Sequence, residues 1–239
     1  MIDSYTNPYV VAHADENTRA TFIRRTYAHL AGAILAFIAI EAALMSIPGI
    51  EETVFGILAI SQYSWLVVLG AFMFVSWIAN KWAHGSTSLG MQYAGLALYV
   101  VAEAIIFLPL LLIAANFVSD PNLIAKAAII TLGMFAGLTV VAFTTKKDFS
   151  FLGGILKVGF FVAIGLIVAS FFFQGFNLGL WFSGAMVLLA SGSILYSTSN
   201  IIHHYRTTQY VAASLGLFAS VALLFWYVLQ ILISLSGRD

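Results

Sequence analysis

Seven apolar stretches, each about long enough to cross a bilayer and separated by short polar breaks, make up most of this chain. A membrane-crossing helix needs roughly 20 mainly apolar residues. The stretches fall at about 27–47, 64–82, 93–115, 123–144, 155–174, 178–197 and 212–235. Strands of a membrane barrel would alternate in polarity over segments of about 10 residues, whereas 66–75 and 155–173 are long apolar runs with no such alternation. With 62% hydrophobic and 8% charged residues, the chain has too little charge to coat a water-soluble globule of 239 residues. It reads as an all-α membrane protein of seven transmembrane helices whose main partner is the lipid bilayer. Residues 1–26 carry Asp3, Asp15, Glu16, Arg19, Arg24 and Arg25 and no apolar core of their own. They are expected to form a cytoplasmic N-terminal tail, ahead of a transmembrane domain over 27–239.

The distribution of Lys and Arg predicts the orientation. Arg19, Arg24 and Arg25 in the tail, with Lys81, Lys146, Lys147 and Arg206 in the even-numbered loops, hold seven of the ten basic residues. The odd-numbered loops carry Glu51, Glu52 and Asp120, or no charge at all near 175–177. Basic residues stay on the cytoplasmic side, so the N-terminus is predicted inside and the C-terminus outside, against the minority vote of Lys126 and Arg238.

Several function classes have no support. The chain has no cysteine, which removes disulfides, thiol nucleophiles and thiolate metal sites. A net charge of zero offers no case for nucleic acid. No nucleophile stands with a base and an orienting group, and no glycine-rich loop opens a helix to cradle phosphate. His203 and His204 adjoin each other, and neighbouring helical residues do not share a face, so a metal site is not expected there. No catalytic residue and no cofactor is expected.

What remains are residues that interrupt the apolar runs. Glu103 lies near the middle of the third span, where an acidic side chain costs about 2.5–3.5 kcal/mol on insertion scales and must face the bundle interior or water. It reads either as a functional group or as a neutral, hydrogen-bonded acid that fixes packing. Pro109, six residues on, removes a backbone hydrogen bond and can shape a polar cavity beside the carboxyl. Glu41, nearer the outer end of the first span, is placed to reach the interface. Gly133 and Gly137 form a G-x-x-x-G step, read as a close helix–helix contact.

Two longer segments are more specific. The fourth loop reads TTKKDFSFLGG over 144–154, and the sixth span ends ASGSILYSTSNIIH over 190–203. With FIRRTY at 22–27, the last span over 210–230 and the terminal Gly237, Arg238 and Asp239, these resemble the Bax inhibitor-1 family of membrane proteins over nearly the whole chain, and most of all its bacterial YccA-like branch. The resemblance implies seven helices with the last one central in the bundle. It also implies two activities. Wider members are pH-sensitive calcium leaks built on two aspartates that share a proton, one at the end of the sixth span and one in the seventh. The YccA-like branch instead binds the inner-membrane protease FtsH and restrains its action on membrane substrates.

The chain departs from the first pattern where the aspartates belong: Ser197 and Ser220 stand there. A hydroxyl donates and accepts hydrogen bonds but does not titrate near neutrality. Glu103, which matches a Glu ahead of the third-helix Pro in bacterial members, is left as a lone acid, and Ca²⁺ wants six to eight oxygens. The favoured reading is a non-enzymatic inner-membrane modulator of FtsH, with Ser197 and Ser220 predicted within side-chain reach of each other. The alternative is a leak for Ca²⁺, another cation or protons. In the first reading the tail serves as a handle that the protease can grip.

Overall fold

A computed structural model describes residues 10–85, 88–145, 147–173 and 178–236. Asp3, Lys146, the uncharged loop at 175–177 and the terminal Gly237, Arg238 and Asp239 lie outside the described residues. The helices are α1 (Glu16–Met45), α2 (Ile50–Ala59), α3 (Ser64–His84), α4 (Leu89–Asn116), α5 (Leu123–Thr145), α6 (Leu152–Phe172), α7 (Gly179–His203) and α8 (Tyr210–Ser236). All but α2 are long and apolar enough to cross a membrane.

Helix α1 begins at Glu16, well ahead of the span expected from residue 27. Asp15 caps it by accepting the Thr18 N–H at 2.9 Å, and Glu16 complements the positive end of the helix. The segment before it is docked. A 3-10 turn at Val11–His13 buries Val11, whose N–H donates to the Tyr205 carbonyl at 3.0 Å, while Val10 pairs with Arg206. Phe22, also buried, lies 6.5 Å from the Tyr205 ring. The expectation of a free handle therefore fails from residue 10 onward: two apolar side chains among the charges are enough to attach this segment to the α7–α8 loop.

The first odd-numbered loop also contains unexpected structure. Helix α2 starts after Gly49 in the left-handed region (φ 76°). It is fixed to the end of α4, where Asn116 donates to Glu51 at 2.8 Å and the Phe55 and Phe117 rings meet edge-on at 5.8 Å. Ten residues are too few to span, so hydropathy alone merges this helix with the loop.

Helix α8 is central, packing against α1, α3, α4, α5 and α7. It shares the core with α4, and Phe107 joins the two by packing on Phe37, Phe225 and Trp226 at centroid distances of 5.2, 5.7 and 4.9 Å. Helix α6 is peripheral and makes its main contact with α7. Tight approach uses glycines other than those expected. A Cβ on Gly95 of α4 would stand 2.6 Å from the Ala79 carbonyl oxygen and 2.7 Å from the Ala83 nitrogen of α3. On α6, Gly153 meets the Tyr196 ring and Gly159 meets Leu189, both from α7. Gly133 and Gly137, by contrast, face open space: a Cβ on either meets nothing within 4 Å, and both are exposed. Among the described residues no helix packs on that pair, because the face of α5 that carries it points away from the bundle.

Candidate functional site

An elongated cavity of about 900 Å³ lies between α6 on one side and α3 and α4 on the other, with the packed pair α7 and α8 also in its wall. Along α8 its lining runs from Gly216 to Ser234, about 27 Å at 1.5 Å per residue, close to the roughly 30 Å of a hydrocarbon core. Its middle is apolar, with Leu69, Phe72, Phe107, Leu110, Leu223 and Trp226 in the wall. Both ends are polar.

At one end three serines meet. Ser193 and Ser197 lie one turn apart on α7, and their hydroxyls stand 2.9 and 3.4 Å from that of Ser220 on α8. Ser220 also donates to the Gly216 carbonyl at 2.9 Å. Hydroxyls bonded this way are satisfied and neutral. At the other end Ser183 donates to Gln230 at 3.3 Å. Glu103 sits between them in the α4 wall, 6% exposed, with the Tyr99 phenol beside it one turn earlier. The cavity therefore brings Glu103, Ser197 and Ser220 together.

It does not include Glu41. That carboxyl is buried in α1, away from the cavity lining, and both of its oxygens lack a hydrogen-bond partner. Burial places it inside the bundle rather than at the interface expected from its position in the span. Pro109 is buried in α4, which remains helical on both sides of it.

Beside the serine end, the two most specific sequence segments lock together. Ser199 of α7 accepts the Phe149 N–H at 2.8 Å and donates to Asp148 at 3.3 Å. Asp148 also accepts the Ser150 N–H at 2.9 Å and pairs with His204 at 3.0 Å. The Ser150 backbone N–H, with His204 adding to it, holds the Asp148 carboxyl below the usual carboxylate range. Tyr205, on the loop that follows, has its phenol pushed up to about 12 by burial.

Sequence reasoning missed Ser193, although its spacing of four from Ser197 puts the two on one helical face. It also missed Lys157, which lines the cavity from α6, and the partnership of Asp148 with Ser199, which joins elements about 50 residues apart. No local pattern signals such a pairing. Among the described residues, no three His, Asp or Glu side chains are grouped to hold a metal ion.

The family model described as inhibitor of apoptosis-promoting Bax1 matches residues 19–237. Bax inhibitor 1 of Schizosaccharomyces pombe is 29% identical over the full chain and 85% of its own length. The modulator of FtsH protease YccA of Escherichia coli K12 is 39% identical over 49% of this chain and 53% of its own. An uncharacterised protein of Pseudomonas aeruginosa is 41% identical over the same shares. The chain spans about half the length of these two bacterial relatives. Seven membrane-length helices, a central last helix and a family match across nearly all of its residues make this chain a member of the Bax inhibitor-1 family.

Proposed function

We propose that this protein is a non-enzymatic modulator of the membrane protease FtsH, resident in a bacterial inner membrane with its N-terminus cytoplasmic and its C-terminus outside. The observation that carries this reading is the 39% identity to the protein named modulator of FtsH protease, whose counterpart in another Escherichia coli strain is named an inner membrane protein. The site is consistent with it. Where a proton-sharing pair would gate ions, the chain has satisfied neutral hydroxyls. The exposed strip of α5 at Gly133 and Gly137 is flat enough for a helix of another protein to approach closely. The test is co-purification with FtsH from native membranes, together with the degradation rate of a membrane substrate. Binding together with slower degradation supports the reading, and no binding with an unchanged rate defeats it.

One observation favours a second reading, a leak for Ca²⁺, another cation or protons: Glu103 lines the same cavity as Ser197 and Ser220. A lone carboxylate is a poor Ca²⁺ site. Ion flux through the protein in liposomes separates the two readings.

A further inference from the structure

We infer that the long cavity is a binding site for an anionic glycerophospholipid, taken from the leaflet at the Lys157 end. Three observations carry this. The first is access: α6 makes its main contact with α7, and the facing helices α3, α4 and α8 pack mainly with one another and with the rest of the bundle, so the seam beside α6 opens toward the bilayer. The face of α6 turned away from the cavity carries Ile155, Val158 and Phe161, each more than 60% exposed, so α6 stands at the edge of the bundle.

The second is shape. At about 900 Å³ the cavity stands at the upper end of the range for small-molecule sites. It is a channel nearly as long as the bilayer core is thick, walled in its middle by aliphatic and aromatic side chains. Such a wall favours an acyl chain over a string of water molecules. The third is charge. Lys157 is exposed at the serine end of the lining and makes no ion pair among the described residues. Its ammonium can reach the interface on its flexible stem. A phosphate there gains the charge, while Tyr196 offers its hydroxyl to the glycerol esters.

The test uses Trp226, in the cavity wall, as reporter. A variant keeps Trp226 and changes Trp65, Trp77, Trp82 and Trp181 to Phe. It is reconstituted in phosphatidylcholine vesicles doped with either phosphatidylglycerol or phosphatidylcholine brominated near the chain ends. Bromine quenches indole only at contact. We expect at least twofold stronger quenching by the brominated phosphatidylglycerol, with the preference lost in K157Q and kept in K157R. Equal quenching by both lipids, no quenching by either, or a preference that survives K157Q overturns the inference. The unaltered chain gives an independent reading: native mass spectrometry from mixed-lipid nanodiscs should show retained phosphatidylglycerol in excess over phosphatidylcholine, and the absence of that excess also overturns it.

Discussion

The hydroxyls of Ser197 and Ser220 lie 3.4 Å apart across the α7–α8 interface, with Ser193 2.9 Å from the same Ser220 oxygen. The positions that the family resemblance assigns to two carboxylates are thus adjacent but carry no charge. Two carboxylates this close share a proton and titrate as a unit. Three hydroxyls do not.

Calcium flux through the unaltered protein in vesicles should therefore be small and nearly flat between about pH 6 and 8. The double variant S197D/S220D should introduce a pH dependence in that window. Strong pH-gated flux from the unaltered chain contradicts this and points to Glu103, in which case E103Q should abolish it.

The lock around Asp148 makes a second prediction. A carboxyl whose folded pKa is depressed adds stability above its unfolded value, near about 3.9, and that stability is lost as pH falls through the lower folded value. Hydrogen exchange of 147–153 should be flat from pH 7 to about 5 and rise only below about 4, after correction for intrinsic rates. D148N should raise it several-fold at neutral pH without melting the bundle. A loss of protection already between pH 7 and 5 would contradict the assignment of the lock to the Asp148 carboxylate.

Glycine substitutions separate buried from open close-approach faces. G95A drives a Cβ into the α3 backbone and should cost about 1–3 kcal/mol or more, as overpacking does. G133A and G137A meet nothing and should gain roughly 0.5–1 kcal/mol each through helix propensity. Unfolding in detergent, followed by circular dichroism, reads all three. Equal losses would mean that the α5 face is packed.

What the sequence made legible follows from how each signal is encoded. Seven spans show because hydropathy is a local sum over some 20 residues. The family segments at 144–154 and 190–203 show as motifs, and their contact through Asp148 and Ser199 explains why both are informative. Glu103 shows because a charge in lipid is costly. The docked turn at Val11 does not show, since its partner, Tyr205, lies nearly 200 residues away. The G-x-x-x-G step shows in the sequence as a flat face, but its spacing does not say which helix, if any, lies against it. Gly95 was missed because its partners, Ala79 and Ala83, lie on another helix.

The Val11 contact bears on turnover by the protease. Burying a valine is worth about 1.5–3 kcal/mol, and V11D replaces it with an unpaired charge, so the segment before α1 should undock. If FtsH engages that segment, the lifetime of V11D should fall at least twofold in cells with the protease and not in cells without it. Equal lifetimes in both strains would remove this segment from the mechanism.

A modulator of FtsH must touch the protease in the membrane, and site-directed photocrosslinking in native membranes reads that contact. Probes belong at Ile129 and Val140, exposed on the α5 face that carries Gly133 and Gly137, with one at the exposed Trp181 of α7 as a control. A crosslink to FtsH, identified by mass spectrometry, is expected from the α5 positions and not from Trp181. Crosslinks from all three positions to lipid or to other proteins, with none to FtsH, would contradict it.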